Sequence, residues 1–366
     1  MTRRIRLALV AIGIGRFQRG FERYFSDLAE VLADDVELTL YAGADGPGRR
    51  VPRWLPGLSR LTHGLPVGRV DTEYRTYKHD CLAYGLALVP ELLQRPFDIV
   101  HAIDPPLSKV LERLLPLVPG RPRLLYTNGT AWPVHLCPRR AQVHHVQQGS
   151  YQQALDSGDP PERNTVVPCG IRAARFATGL SRAELRARHG IAPGTFVVLM
   201  VGAVKRVHKR VDHVVDEIST LPGDWLLWID GKPEDAELAA TAQARLGNRC
   251  RISQVPSADV GQLYGLADVM VHAALEESFG LAVVEALSTG LPVLAHDSPH
   301  FAWLTAGRAG LLDMAAPGRL RQQLRQRLAE HPRPQPHDPV QAAAITARYD
   351  WAQLKSSYLA LYQRLM

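Results

Sequence analysis

The sequence predicts an α/β protein of two domains, each an open parallel sheet with crossover helices. Three observations carry that prediction. The chain has 366 residues, more than twice the usual length of a domain. Short, nearly continuous apolar runs alternate with helical segments, as strands covered on both faces require. The alternation then stops near residues 170–180 and begins again. A content of 46% hydrophobic and 22% charged residues supplies two cores and excludes long disordered, coiled-coil or collagen-like stretches.

The first half opens with an apolar run at 5–12, read as a doubly covered strand. A loop with Gly13, Gly15 and Gly20 follows, then a helix over about 21–32 and a second strand at 36–42. Further strands are expected at 98–102, 124–127, 142–146 and 164–167, and residues 42–71, rich in Gly, Pro and Arg, read as a long loop. In the second half, Ser181 and Glu184 form a capping-box pair before a short helix. A buried strand at 196–201 ends at Gly202, and strands at 225–229, 251–254, 269–272 and 292–295 follow with helices between them. A proline-rich segment at 332–339 precedes a last helix over about 351–365, whose Leu354, Tyr358, Leu361 and Leu365 recur at helical spacing and should dock one apolar stripe. The domains are expected over 1–175, with residues 345–366 packing back on it, and over 176–344.

Composition narrows the function classes. The four cysteines, Cys81, Cys137, Cys169 and Cys250, are scattered without ligand-like spacing, so they read as reduced, buried thiols. His144 and His145 adjoin, but strand neighbours point to opposite faces, so no metal site is expected. No apolar stretch reaches the about 18 residues of a membrane span and no secretory leader pattern opens the chain, so a cytoplasmic protein is expected. The net charge of +7 lies almost wholly in the first half. That asymmetry allows peripheral contact with an acidic membrane surface, while no basic stripe interleaved with aromatics suggests nucleic acid.

Two facing parallel sheets would create a cleft lined by strand carboxyl ends and helix N-termini, where anionic ligands bind. Two strings carry chemistry suited to such a place. The first is Glu276-Glu277-Ser278-Phe279-Gly280-Leu281-Ala282-Val283-Val284-Glu285-Ala286. It places Glu277 at a strand's carboxyl end and Glu285 in the following helix, with the amides of Phe279, Gly280 and Leu281 crowning that helix. Gly280 lets backbone approach a phosphate closely. The two carboxylates suit hydroxyls, one on a transferred sugar and one on a ribose. The second string, Val201-Gly202-Ala203-Val204-Lys205-Arg206-Val207-His208-Lys209-Arg210, gathers cations after a buried strand, as a departing diphosphate needs.

These strings, with Val167-Pro168-Cys169-Gly170-Ile171 and the opening at 13–22, resemble glycosyltransferase family 4. The resemblance implies the GT-B fold, two facing Rossmann-like domains with a C-terminal helix crossing back to the first. It also implies a retaining, metal-independent hexosyltransferase acting on a UDP- or GDP-sugar as co-substrate, with no separate cofactor. It assigns Glu277 to the transferred sugar, Glu285 to the ribose, Phe279, Gly280 and Leu281 to the sugar and phosphates, and Lys209 to the diphosphate. Gly13 and Gly15 match the glycine loop near the donor phosphates, and Pro256 the wall of the base pocket. Where the resemblance implies arginine after Gly202 the chain has Ala203, and Lys205 and Arg206 are the candidates for that charge. Where it implies a histidine after the fourth strand the chain has Asn128, able to give neutral hydrogen bonds.

The expected reaction passes a sugar to an acceptor hydroxyl on the face the leaving group departs from, with the departing phosphate taking the acceptor proton. His101, Asp104 and Glu22 are further candidates for the acceptor, which could be a glycan, a lipid or a small molecule. A non-catalytic nucleotide-sugar-binding protein and a nucleotide-sugar epimerase are the alternatives on the same fold. A nicotinamide dehydrogenase is disfavoured, because Gly13-Ile14-Gly15 lacks the third glycine at its spacing.

Overall fold

The computed structural model describes residues 3–16, 20–45, 48–51, 72–129, 134–330 and 337–366. The chain divides into two compact units, Met1–Gly170 with Leu354–Met366, and Ile171–Gln353. These limits differ from the expected 175/176 and 345. The reason is a set of bonds within the second unit: Ile171 N donates to Tyr349 O (2.8 Å) and Trp351 N to Ile171 O (3.0 Å). In addition, Tyr349 Oη donates to Leu304 O (2.7 Å).

The first unit contains β1 (Arg6–Ala11), α1 (Gly20–Leu32), β2 (Glu37–Ala42), β3 (Arg49–Arg50), α2 (Thr72–Gln94), β4 (Ile99–Ala102), α3 (Pro105–Leu114), β5 (Arg123–Asn128), β6 (Gln142–His145), α4 (Gln148–Asp156) and β7 (Asn164–Val166). The second contains α5 (Arg182–Arg188), β8 (Phe196–Val201), α6 (Val211–Ile218), β9 (Trp225–Asp230), α7 (Ala236–Leu246), β10 (Cys250–Ser253), α8 (Val260–Leu266), β11 (Val269–His272), α9 (Leu281–Ser288), β12 (Val293–His296), α10 (Pro299–Thr305), β13 (Gly310–Leu312), α11 (Arg319–Glu330) and α12 (Pro339–Tyr349). Helix α13 (Trp351–Gln363) carries the chain back into the first unit.

Among the described residues the sheets run β3-β2-β1-β4-β5-β6-β7 and β10-β9-β8-β11-β12-β13, and every pairing is parallel. Strand order reverses beside β1 and beside β8, so loops after those strands open at the carboxyl edge where crossovers part. Strands β3 and β13 escape a sequence reading because two or three residues carry no periodic signal. Strand β3 lies in the expected 42–71 loop; residues 46–47 and 52–71 of that loop, Thr130, and residues 332–336 of the proline-rich segment lie outside the described residues.

Alternation along the strands splits each unit into two faces. In the first, Ala8, Val10, Val100, Ala102, Tyr126 and Val143 form one core with Tyr84 and Leu88 of α2 and Leu107 and Leu111 of α3. In the second, Val198, Met200, Leu227, Ile229, Val269 and Val271 pack with Val214, Val215 and Ile218 of α6. The four cysteines are free and buried. Among the described residues no helix is long and apolar enough to cross a membrane.

The other face of the first sheet is polar at its centre. His101 and His144 are wholly buried, and Thr127 Oγ1 stands between them, 2.6 Å from His101 Nε2 and 2.9 Å from His144 Nδ1. His144 Nε2 lies 2.7 Å from Val167 O, and His101 Nδ1 lies 2.8 Å from Tyr362 Oη of α13. A carbonyl only accepts, so His144 carries its proton on Nε2. Every further link then follows: Thr127 donates to His144, His101 to Thr127, and Tyr362 to His101. Beside this chain Tyr24 and Tyr358 meet through their hydroxyls (3.0 Å), and Tyr358 donates to Pro168 O (2.9 Å). Leu354, Tyr358 and Leu361 of the expected stripe are buried, and Tyr362 joins them.

This chain of bonds is neutral, and burial keeps it so. Desolvation drives His101 well below the ordinary histidine value, with His144 beside it adding to the effect. Desolvation also pushes His144 from 6.5 down to about 4, against the bond to Val167. An unfolded histidine takes a proton below 6.5 while the folded one refuses it, so both groups contribute stability that is full above that value and lost as pH falls below it, for His144 down to about 4. For His144 the loss is about 3 kcal/mol at about 1.4 kcal/mol per pH unit. The urea midpoint of the wild type should therefore fall steeply between pH 6.5 and 4, and His144→Gln should flatten that slope. A midpoint equally pH-dependent in both proteins would contradict the assignment.

Candidate functional site

The site grows from the carboxyl edge of the second sheet. Strand β8 ends at Gly202, whose φ is +140° and whose amide donates to Asp230 O (2.9 Å). A Cβ here would lie 3.2 Å from Lys209 Cε, so glycine also leaves room for that side chain to run beneath it. The connection to α6 is tight: Val211 N donates to Lys205 O and Arg210 N to Arg206 O, and His208 and Arg210 have φ of +67° and +49°. Arg210 is pinned by the backbone carbonyls of Met314 (2.6 Å) and Ala273 (3.5 Å). Lys209 is thereby aimed away from the loop, and its ammonium donates to Glu277 Oε2.

Glu277 lies between β11 and α9 and is fully engaged. Its Oε2 also meets His272 Nε2 at 3.1 Å, and its Oε1 accepts from Ser278 N at 3.0 Å. Burial alone would raise the Glu277 carboxyl, but the His272 bond and the Lys209 charge outweigh it and hold the group well below the usual carboxylate range. Burial holds His272 below the ordinary histidine value against its bond to Glu277, and Lys209 adds to that lowering. The imidazole is thus neutral at pH 7 and donates from Nε2.

Gly280 follows in the left-handed region, φ +97° and ψ 46°, at the N-cap of α9. Its carbonyl accepts from Val283 N (3.0 Å) and Val284 N (3.2 Å). The first N–H groups of the helix, on Leu281 and Ala282, have no acceptor within it and point outward along its dipole. The Phe279 ring is buried against Trp303 and Tyr349, and its carbonyl lies 3.0 Å from His300 Nε2, which fixes the peptide leading into the helix. Glu285 is buried in α9 and accepts from Tyr264 Oη (2.9 Å). A lysine ammonium, a charged carboxylate and a helix N-terminus thus meet in one place. That set can bind an anion and a hydroxyl together.

The other expected residues are placed as follows. Lys205 pairs with Glu234 (3.1 Å) and Arg206 with Asp235 (3.2 Å) in the segment after β9, so carboxylates balance their charge locally. Pro256 is exposed just beyond β10, and its carbonyl accepts from Asp259 N (2.8 Å). In the first unit, Gly13 and Gly15 form the turn after β1. A Cβ on Gly13 would strike only the flexible end of Glu22 (Oε1, 2.1 Å), whereas one on Gly15, with φ +78°, would lie 2.7 Å from the backbone carbonyl of Asp45, so packing within the unit already requires the second glycine. Asn128, buried, ends β5.

Of the acceptor candidates, His101 needs correction. His101 belongs to the buried hydrogen-bond chain of the first sheet, because residue 101 alternates onto the covered face. Asp104 accepts from Ile12 N (3.0 Å) and from Tyr77 Oη, holding the turn after β1. The carboxylate of Glu22 packs on Gly13. His272 was missed. Its signal was a histidine in an apolar strand, on the face of Met270 and five residues before Glu277. Among the described residues no three His, Cys, Asp or Glu side chains gather as a metal site.

Residues 181–306 match the model of the family described as Glycosyl transferases group 1. The chain is 31% identical over 142 residues to lipopolysaccharide glucosyltransferase WaaG of Escherichia coli K12, an alignment spanning 37% of each protein. It therefore spans little more than a third of the length of that curated relative. It is 31% identical over 274 residues to the GDP-mannose:cellobiosyl-diphosphopolyprenol alpha-mannosyltransferase of Komagataeibacter xylinus, covering 64% of this chain and 67% of that one. The crystal structure of Anabaena Alr3699/HepE in complex with UDP-glucose superposes with a TM-score of 0.72 and 17% identity, covering 98% of this chain and 99% of that one. At that identity the likeness is one of fold.

The geometry at Gly280 gives a test of the site's construction. A Cβ there would meet Leu304 Cδ2 at 3.0 Å in addition to the left-handed backbone, whereas Gly190, which follows α5 with φ +63° and is capped by Ile191 N donating to Arg186 O (2.9 Å), has nothing within 4 Å. Gly190→Ala should cost about 1 kcal/mol, and Gly280→Ala about 2–3 kcal/mol, in urea unfolding of the second unit. Equal costs would mean that Gly280 is not packed as described.

Proposed function

The chain belongs to the glycosyl transferases group 1, the family 4 glycosyltransferases of the GT-B fold, and we propose that it moves a sugar from a nucleoside diphosphate sugar to an acceptor hydroxyl. Transfer retains the anomeric configuration and uses no metal ion. The observation that carries this reading is the meeting of Lys209, Glu277 and the N-terminus of α9.

The chemistry follows from where charge develops. As the bond from the anomeric carbon to the diphosphate breaks, negative charge collects on the leaving oxygen. Lys209 and the amides of Phe279, Gly280 and Leu281, joined by the unpaired helix amide of Ala282, are donors set in advance for that charge, and each such donor is worth about 3 kcal/mol in barrier height. Glu277, held charged, accepts hydroxyls of the transferred sugar, and Glu285 takes the ribose. The leaving phosphate accepts the acceptor's proton on the same face, so retention needs no enzymatic nucleophile. Lys205 and Arg206 add a positive field at the diphosphate once their carboxylate partners are outcompeted. Pro256 borders the nucleobase. Gly13, Gly15 and Asn128 stand at the carboxyl edge of the first sheet and offer neutral hydrogen bonds to sugar or phosphate. UDP- and GDP-sugars are both open as donors, since HepE was crystallised with UDP-glucose and the mannosyltransferase is named for GDP-mannose.

Release of UDP or GDP from a panel of UDP- and GDP-sugars tests the reading. The wild type should release one of them, at a rate unchanged by EDTA. Lys209→Ala and Glu277→Gln should each slow release by about 100-fold with unchanged circular dichroism, and the glycosidic product should keep the donor's anomeric configuration by NMR. Near-normal rates in both variants would refute the site.

A further inference from the structure

We propose that His272 is the positioning residue of Glu277, holding that carboxylate in place when Lys209 turns from it to an anionic ligand. The inference rests on the donor-site reading above and adds to it a residue outside the motif. Lys209 Nζ and His272 Nε2 share Oε2 of Glu277, while Ser278 N holds Oε1. The two partners on Oε2 differ in freedom. Lys209 is a flexible side chain 24% exposed, whereas the His272 side chain is 4% exposed. His272 also ends a strand whose backbone pairs with Ala295, and its ring lies 5.5 Å from that of Phe301. A diphosphate competes with Glu277 for the ammonium, because it brings more than one negative charge to a lysine that binds as a point charge. Without Lys209, a carboxylate held by Ser278 N alone would rotate about its own side-chain torsions. His272 supplies the second fixed donor, so both oxygens keep their direction toward the sugar hydroxyls.

The charged and titratable groups that act on this imidazole are Glu277, Lys209 from the loop before α6, and His300 from α10. Lys209→Ala reproduces the withdrawn lysine without any ligand. In nitrogen-15 NMR of the imidazoles, wild-type His272 should be the Nε2–H tautomer. In Lys209→Ala its titration midpoint should rise by about one pH unit, since a nearby cation has been removed while the carboxylate remains. An Nδ1–H tautomer, or an unmoved midpoint, would overturn the proposal whether or not a donor sugar is known.

Steady-state rates supply the second arm, measured on whichever UDP- or GDP-sugar the wild type consumes. His272→Leu removes the donor, and His272→Gln keeps an N–H near the same place. Leu should lower kcat about 10- to 100-fold with KM for the sugar changed less than threefold, and Gln should recover most of the loss. A Leu variant as active as the wild type, or a Gln variant no better than Leu, would reduce His272 to core packing. If the wild type consumes and binds none of these sugars, the transferase reading fails and the NMR arm alone decides His272.

Discussion

The second unit is organised around one carboxylate that cannot be left alone. Glu277 is largely withdrawn from water, and an isolated buried charge would be neutralised or expelled. It stays ionised because three donors converge on it from three places in the chain: Lys209 after β8, His272 at the end of β11, and the backbone at Ser278. Each donor in turn depends on local geometry. Gly202 makes room for the lysine stem, Arg210 anchors the loop that aims it, and Phe279 and His300 fix the peptide entering α9. Of these three donors only Lys209 is shared with the proposed chemistry: under that reading it turns to the diphosphate, while His272 and Ser278 N stay on the carboxylate.

The first unit handles buried polarity in the opposite way. Its central residues, His101, Thr127, His144 and Tyr362, are joined in a chain in which every link is neutral and every direction is set by the carbonyl of Val167. This chain of bonds buries no charge, so it needs no compensating ion, and it fastens α13 to β4, β5 and β6. His101 is therefore a structural residue although it ends no differently in sequence from a ligand-facing one. Asp104 follows the same logic, spending its carboxylate on Ile12 N and Tyr77.

Much of this was legible in the sequence. Doubly covered strands read as continuous apolar runs, the Ser181–Glu184 pair forms the capping box it spells, and the segment at 276–286 places its two acids on either side of a helix start as its spacing indicates. What was not legible depends on partners distant in the chain. Nothing near Lys205 or Arg206 announces Glu234 and Asp235, which arrive from the next strand's loop. A single histidine in an apolar strand reads as core, and only the fold brings His272 to Glu277. Residues 345–349, the end of α12, were expected in the returning segment. Gln341, donating to Leu291 O (3.1 Å), and the bonds of Tyr349 keep them in the second unit.

A crystal structure of the protein with UDP or GDP soaked in tests the central claim most directly. The account requires the diphosphate to sit within hydrogen-bond reach of Lys209 Nζ and the Leu281 and Ala282 amides, with Glu277 still bonded to His272. A nucleotide bound without those contacts, or a Lys209 that remains on Glu277 beside a bound diphosphate, would contradict it.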